Sequence, residues 1–430
     1  MTRIRYALAF IIVAVVCAEA AGRDGNMTTA ESLLHSSIQA LGGFNALASI
    51  KDVTYRGGLI YRAKSMADTF TLTGVETSVA PVGSQNITFM FDEPIIKQRI
   101  KRFHQLGPYW TWARPALEPV DYTMDVIGGD NGYAAVVEGN YLLFTPGAPP
   151  SGYVDGLLAA YLTNQAEKMS PLLLLTILSN GNFSLSTELI GSGVEMTSIY
   201  DHSLDVSVIL DPSTKLPYII RSYENHGMFG RSTRDLMLQD YIDVSGVYFP
   251  RRFKGIYNEY RVYEDYSVAE IMTNTKVSLP QLQTPREPHQ LPMRDNSYDW
   301  SEISELYGIH VWAGAYRGTL KNLTAINPYP DLPGVWLLIF EDAEAYRQVV
   351  WEMDTYAIVL DCPAHQSHLV IQWVEEVLKK PVGYVWPSHH HHDHVSGIND
   401  YANAGAKVIV LDFARDYYTQ VPNDQFITYS

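Results

Sequence analysis

The sequence predicts a multidomain chain: an N-terminal antiparallel curved sheet backed by helices (α+β), then a C-terminal layered α/β unit. Three observations carry this. Up to residue 274, short runs alternate apolar and polar residues between turn signals, with few helical interruptions. Pro280, Pro285, Pro288 and Pro292 then fall close together. Beyond them, nearly continuous apolar strands alternate with helical stretches, the pattern of strands buried on both faces. A length of 430 residues suits two or three domains.

At the N-terminus, Arg3 and Arg5 precede an apolar run over 7–18, and Ala18-Glu19-Ala20 offers small residues for cleavage. This is the layout of a signal peptide over 1–20, and the run is short for a membrane span. An uncleaved anchor is the alternative. Cleavage removes Cys17 and leaves Cys362 as the sole thiol, so no intrachain disulfide is expected. Four Asn-x-Ser/Thr sequons begin at Asn26, Asn86, Asn182 and Asn322. Together these predict a secreted glycoprotein without stable membrane insertion. A hydrophobic content of 47% against 18% charged residues excludes global disorder. The net charge of −16 argues against nucleic acid as partner.

Residues 28–50 have helical apolar spacing, broken by Gly42-Gly43. VTYRGGLIYRA, TFTLTGVETSV, NITFMFDEP, YAAVVEGNYLLF, VEMTSIYD and LDVSVILD then read as strands. A helical interruption spans 154–178, and its LLLL run is a buried helix rather than a membrane segment. LDPSTKLPYIIRSYE and LQDYIDVSGVYFPRRFKGIY are hairpins, turning at Asp211-Pro212 and at Ser245-Gly246. The ALGG helix end and the DPSTKLP and DVSGVYFP turns give residues 29–274 a resemblance to the LolA/LppX-like lipoprotein-carrier fold. That resemblance implies a half-barrel whose concave face holds small apolar ligands. Residues 275–300 form the boundary, either an extended linker or an ordered crossing.

In 301–430, GVWLLIF and TYAIVLD are strands, a helix lies between His365 and Lys380, and VGYVWP leads directly into SHHHHDHVSG. A helix over 398–404 and the strand KVIVL follow. Five histidines at a strand-to-helix loop raise two readings, a metal site or an imidazole-rich surface loop. The spacing His389-x-His391-x-Asp393-His394 favours metal, because alternate residues reach one ion while the next pair turns to another. His365 and His368 read as a solvated helix start.

With VLDCP before it, this loop resembles the first half of an αββα metallo-β-lactamase-fold hydrolase. The resemblance implies one or two zinc ions, with His389 and His391 on the first and Asp393 and His394 on the second. Asp393 would also orient the catalytic water, while His390 and His392 fill variable positions. The implied activity is hydrolysis of an ester, thioester, lactone or amide by metal-activated water. No histidine follows His394, so the family's remaining ligands are missing. The expectation is therefore a fragment, a truncated product or a degenerate relative, with 426–429 an edge strand lacking a partner. Two functions follow: a secreted zinc hydrolase of an apolar substrate, or a non-enzymatic carrier of apolar ligands built on the half-barrel. The substrate and the oligomeric state are not readable from the sequence.

Overall fold

A computed structural model describes residues 29–61, 82–91, 95–105, 120–129, 132–139, 152–153, 156–191, 193–226, 229–259, 261–276, 318–341, 347–363, 366–390 and 392–430. The expected signal peptide, the Asn26 sequon, the strand at 69–79 and residues 277–300 of the expected boundary lie outside them. The described residues divide into two compact units, one carrying a thirteen-stranded sheet and the other a seven-stranded sheet. None of their helices is long and apolar enough to cross a membrane.

The first unit begins with α1 (Thr29–Ala40) and α2 (Phe44–Ala48), separated at Gly42-Gly43 as the sequence predicts. The glycines are required here. Gly42 has φ +121°, and a Cβ on it would stand 2.1 Å from the Gly246 carbonyl oxygen. The helix end therefore rests on the DVSGVYFP turn, where the Tyr248 amide also donates to the Leu41 carbonyl at 2.9 Å.

From there the chain makes two meanders. β1 (Asp52–Tyr61), β2 (Val82–Met90), β3 (Lys97–Gln105), β4 (Val120–Ile127), β5 (Tyr133–Gly139) and β6 (Gly152–Tyr153) step outward to one edge. After α3 (Gly156–Met169) and α4 (Leu173–Asn180), the chain restarts at the opposite edge. There β7 (Phe183–Ile190), β8 (Val194–Asp201), β9 (Val206–Leu210), β10 (Pro217–His226), β11 (Gly230–Val244), β12 (Val247–Tyr257) and β13 (Arg261–Thr273) step back until β13 pairs antiparallel with β1. The result is a large antiparallel curved sheet with few helices. The expected single helical stretch at 154–178 is corrected to two helices, because Pro171 has no N–H to continue the ladder.

α1 packs on β7, β8 and α4, and α3 on β4, β5 and α4. In the aromatic part of the core, Tyr55 meets Phe89, Phe249 and Phe253 edge-on, at centroid distances of 6.4, 6.3 and 5.3 Å. Both predicted hairpins form. Asp211 Oδ1 accepts from the Ser213 and Thr214 amides at 3.0 and 2.7 Å. Asp243 Oδ1 accepts from the Gly246 amide at 2.9 Å.

The second unit holds β14 (Leu323–Ile326), β15 (Val335–Phe340), β16 (Gln348–Glu352) and β17 (Ala357–Leu360), paired antiparallel. β17, β18 (Val382–Trp386), β19 (Lys407–Leu411) and β20 (Phe426–Tyr429) then pair in parallel. The helices here are α5 (Ser367–Trp373), the four-residue α6 (His392–Val395) and α7 (Ile398–Asn403).

Two expectations are corrected here. β17 and β19 alternate buried with half-buried residues, so they are covered on one face rather than on both. On the other face Trp351, Trp386 and Tyr429 pack edge to edge, at 6.4 and 6.0 Å. β20 does not lack a partner either: all four of its residues register against β19, from Val408↔Phe426 to Leu411↔Tyr429. A C-terminal metallo-β-lactamase layer is not shown by the described residues.

Candidate functional site

In the first unit a cavity of about 40 Å³ lies between the α3–α4 break and the sheet. Leu173 and Leu174 line it from the helix side, Ile220, Phe249 and Phe253 from the sheet, and Leu41 from the end of α1. The sequence places them there through the helix break at Ser170-Pro171 and through strands whose alternate residues turn inward. This is room for a few water molecules, well below the several hundred Å³ of a formed small-molecule pocket.

Polar side chains border this lining too, among them Tyr55, Tyr241 and Lys168. Tyr55 is 1% exposed and lines the cavity. Burial, then the neighbouring Tyr266, pushes its hydroxyl far above the usual range, so it stays neutral. Tyr241 donates to the Pro217 carbonyl at 2.6 Å and is likewise held neutral by burial. Lys168, 2% exposed, donates to Ser222 Oγ at 2.9 Å and to the Arg234 carbonyl at 2.8 Å. The Arg234 guanidinium in turn lies over the Tyr161 ring at 4.7 Å. Sequence reading did not select any of these residues. Lys168 sits in a run of ordinary helix composition, and only its buried position gives it significance.

The histidine loop occupies the C-terminal ends of β17 and β18. Asp361 follows β17 with φ +61°, a left-handed backbone that turns its carboxylate under the loop. The carboxylate accepts from the Ser388 amide at 2.6 Å and meets His394 Nδ1 at 2.9 Å. Burial would raise its pKa, but these hydrogen bonds and the His394 charge outweigh burial and hold it below the ordinary carboxylate range. Ser388 Oγ reaches His389 Nδ1 at 3.1 Å and His394 Nδ1 at 3.3 Å, and the two rings lie 4.0 Å apart. Gly397 is needed beside the loop, because a Cβ there would lie 2.7 Å from Ser367 Oγ.

Of the expected site residues, the structure brings His389 and His394 together. His391 lies outside the described residues, and for Asp393 only the backbone, in α6, is described. His368 is exposed on α5, and His365 lies outside the described residues. Aspartate and serine both meet Nδ1 of His394, so the cluster is not a serine–histidine–aspartate relay. The Cys362 thiol is buried, and burial followed by the Asp361 and Asp400 charges raises its pKa well above normal, so it is not a nucleophile. Among the described residues, no group of three or more His, Cys, Asp or Glu stands where it could hold a metal ion.

No family model and no curated protein matches the chain. Among solved structures, an outer membrane lipoprotein-sorting protein domain from Vibrio parahaemolyticus matches with a TM-score of 0.32 and 9% identity, covering 59% of this chain and 96% of its own. A DUF1329 family protein from Desulfovibrio piger gives 0.31 and 7%, with coverage of 59% and 96%. MucB gives 0.23 and 13%, with coverage of 73% and 77%. With no metal-holding group among the described residues, the expected zinc-dependent hydrolase is withdrawn.

Proposed function

We propose that the chain is a non-enzymatic carrier of small apolar ligands, held between the thirteen-stranded sheet and the α3–α4 break. One observation carries this reading: the sheet and the helix break border a cavity whose lining includes four leucines, Ile220, Phe249 and Phe253. Of its bordering tyrosines, Tyr55 and Tyr241 are kept neutral by burial. Such a lining offers a ligand apolar surface. The signal-peptide layout favours a carrier that acts outside the cell or in its envelope.

The closed cavity is smaller than any chain-like ligand, so loading requires Leu173 and Leu174 to lift from the sheet. Exposing each costs roughly 1.5–3 kcal/mol, and each ligand methylene buried in exchange returns about 0.8 kcal/mol. Short ligands therefore bind weakly. Affinity should rise about fourfold per methylene until the chain outgrows the site.

Lipid extraction of the purified chain, followed by mass spectrometry, tests the reading. Near-stoichiometric recovery of an apolar molecule is expected. A chain that emerges free of lipid and takes up no fluorescent fatty acid would contradict it.

A further inference from the structure

We infer that β7 is a self-pairing edge, through which two copies of this chain join their thirteen-stranded sheets. Among the described residues, the two edges of the sheet differ. β6 is two residues long, too short to template another strand, whereas β7 runs for eight residues in unbroken register against β8. Sheet edges are ordinarily blunted by proline, lysine or a bulge, and Phe-Ser-Leu-Ser-Thr-Glu-Leu-Ile contains none of these. Instead Leu185 and Leu189 are 47% and 52% exposed.

The occupant follows from register. The His202 amide donates to the Asn182 carbonyl at 2.9 Å, which makes that pair a hydrogen-bonded rung of the β7–β8 ladder. Alternation then turns the amides and carbonyls of Leu185, Thr187 and Leu189 away from β8, toward the open edge. The same three residues share one sheet face. A two-fold axis through Thr187 sets Thr187 against Thr187, and Leu185 of one copy against Leu189 of the other. One register thus aligns outward hydrogen-bonding groups and like faces at once, giving roughly six new hydrogen bonds.

Charge also permits this partner despite the net −16 of the chain. Glu188 is the only charged residue of β7, and it is engaged by Arg221 at 3.2 Å, by Ser207 at 2.7 Å and by the Tyr223 hydroxyl. In the proposed register it faces Ser186, so no like charges meet.

The test is sedimentation of the full chain after N-glycan removal, since the Asn182 sequon adjoins β7. The wild type should sediment as a dimer. Leu185→Glu with Leu189→Glu, and separately Leu185→Lys with Leu189→Lys, set like charges opposite each other and should raise the dimer dissociation constant ~100-fold. Mixing the two variants should restore the dimer, and both should keep the wild-type circular dichroism. Thr187→Pro, which removes an outward amide on the axis, should also be monomeric. A monomeric wild type, charge variants that still dimerise, a mixture that stays monomeric, or added mass that is not a second copy would each overturn the inference.

Discussion

Arg221 shows how much of the first unit's stability rests on polar residues inside a sheet. Its side chain is 3% exposed and forks onto Asp235, at 2% exposure, through contacts of 2.8 Å from both Nε and Nη2. Burial would lower the arginine pKa, but the Asp235 hydrogen bonds and charge, with Glu188 and Glu259, raise it. Removing one member leaves the other buried and uncompensated. Arg221→Ala should therefore cost about 3–5 kcal/mol in urea denaturation, and Arg221→Lys should restore little, because an ammonium cannot fork. A loss below about 1 kcal/mol would refute this role. Asp211 is the exposed counterpart. Hydrogen bonds from Ser213 and Thr214 lower its pKa to about 2. A lowered carboxylate pKa stabilises the hairpin above the unfolded value near 4, and that contribution disappears as pH falls toward 2. Carboxyl NMR titration should show this, and an ordinary value near 4 would contradict it. The turn was legible because Asp-Pro-Ser-Thr has a local mechanism, whereas the Arg221 pair joins residues 14 apart whose inward direction no local pattern announces.

At the scale of elements, legibility followed the same division. α1, the hairpins and strands β15, β17, β18 and β19 of the second unit came from periodicity and turn chemistry, while β14 and β16 were not read. β3 did not, because Lys-Gln-Arg-Ile-Lys-Arg-Phe-His-Gln reads as solvated chain. It is a strand because its neighbours supply partners: Arg99 forks onto Asp125 at 2.7 Å, and Arg102 reaches Gln85 and Glu264. β20 was read as an unpaired edge because parallel pairing with β19 depends on a long-range return that periodicity does not encode. Its amides should accordingly exchange slowly, and exchange at the rate of an unstructured peptide would count against the pairing. The α1 end makes a second prediction. Gly42→Ala forces a side chain into φ +121° and against the Gly246 carbonyl, so it should destabilise the first unit by at least about 1–3 kcal/mol. Loss of exchange protection at Tyr248, whose amide bonds the Leu41 carbonyl, should accompany it.

For the whole molecule, the histidine run was the strongest local signal. His389 and His394 do come together, held by Asp361 and Ser388. His391 and the Asp393 side chain, its other expected donors, lie outside what is described. The cavity posed the opposite problem, since Leu41, Tyr55, Leu174, Ile220 and Phe253 are scattered along the chain and meet only after two meanders close. The central claim is that an apolar ligand binds there. The most direct measurement is photocrosslinking with a diazirine-bearing long-chain fatty acid, followed by peptide mass spectrometry. The account predicts saturable one-to-one labelling on peptides containing Leu173–Leu174, Ile220 or Phe253, suppressed by unlabelled fatty acid. Labelling confined to residues 318–430, or labelling that never saturates, would contradict it.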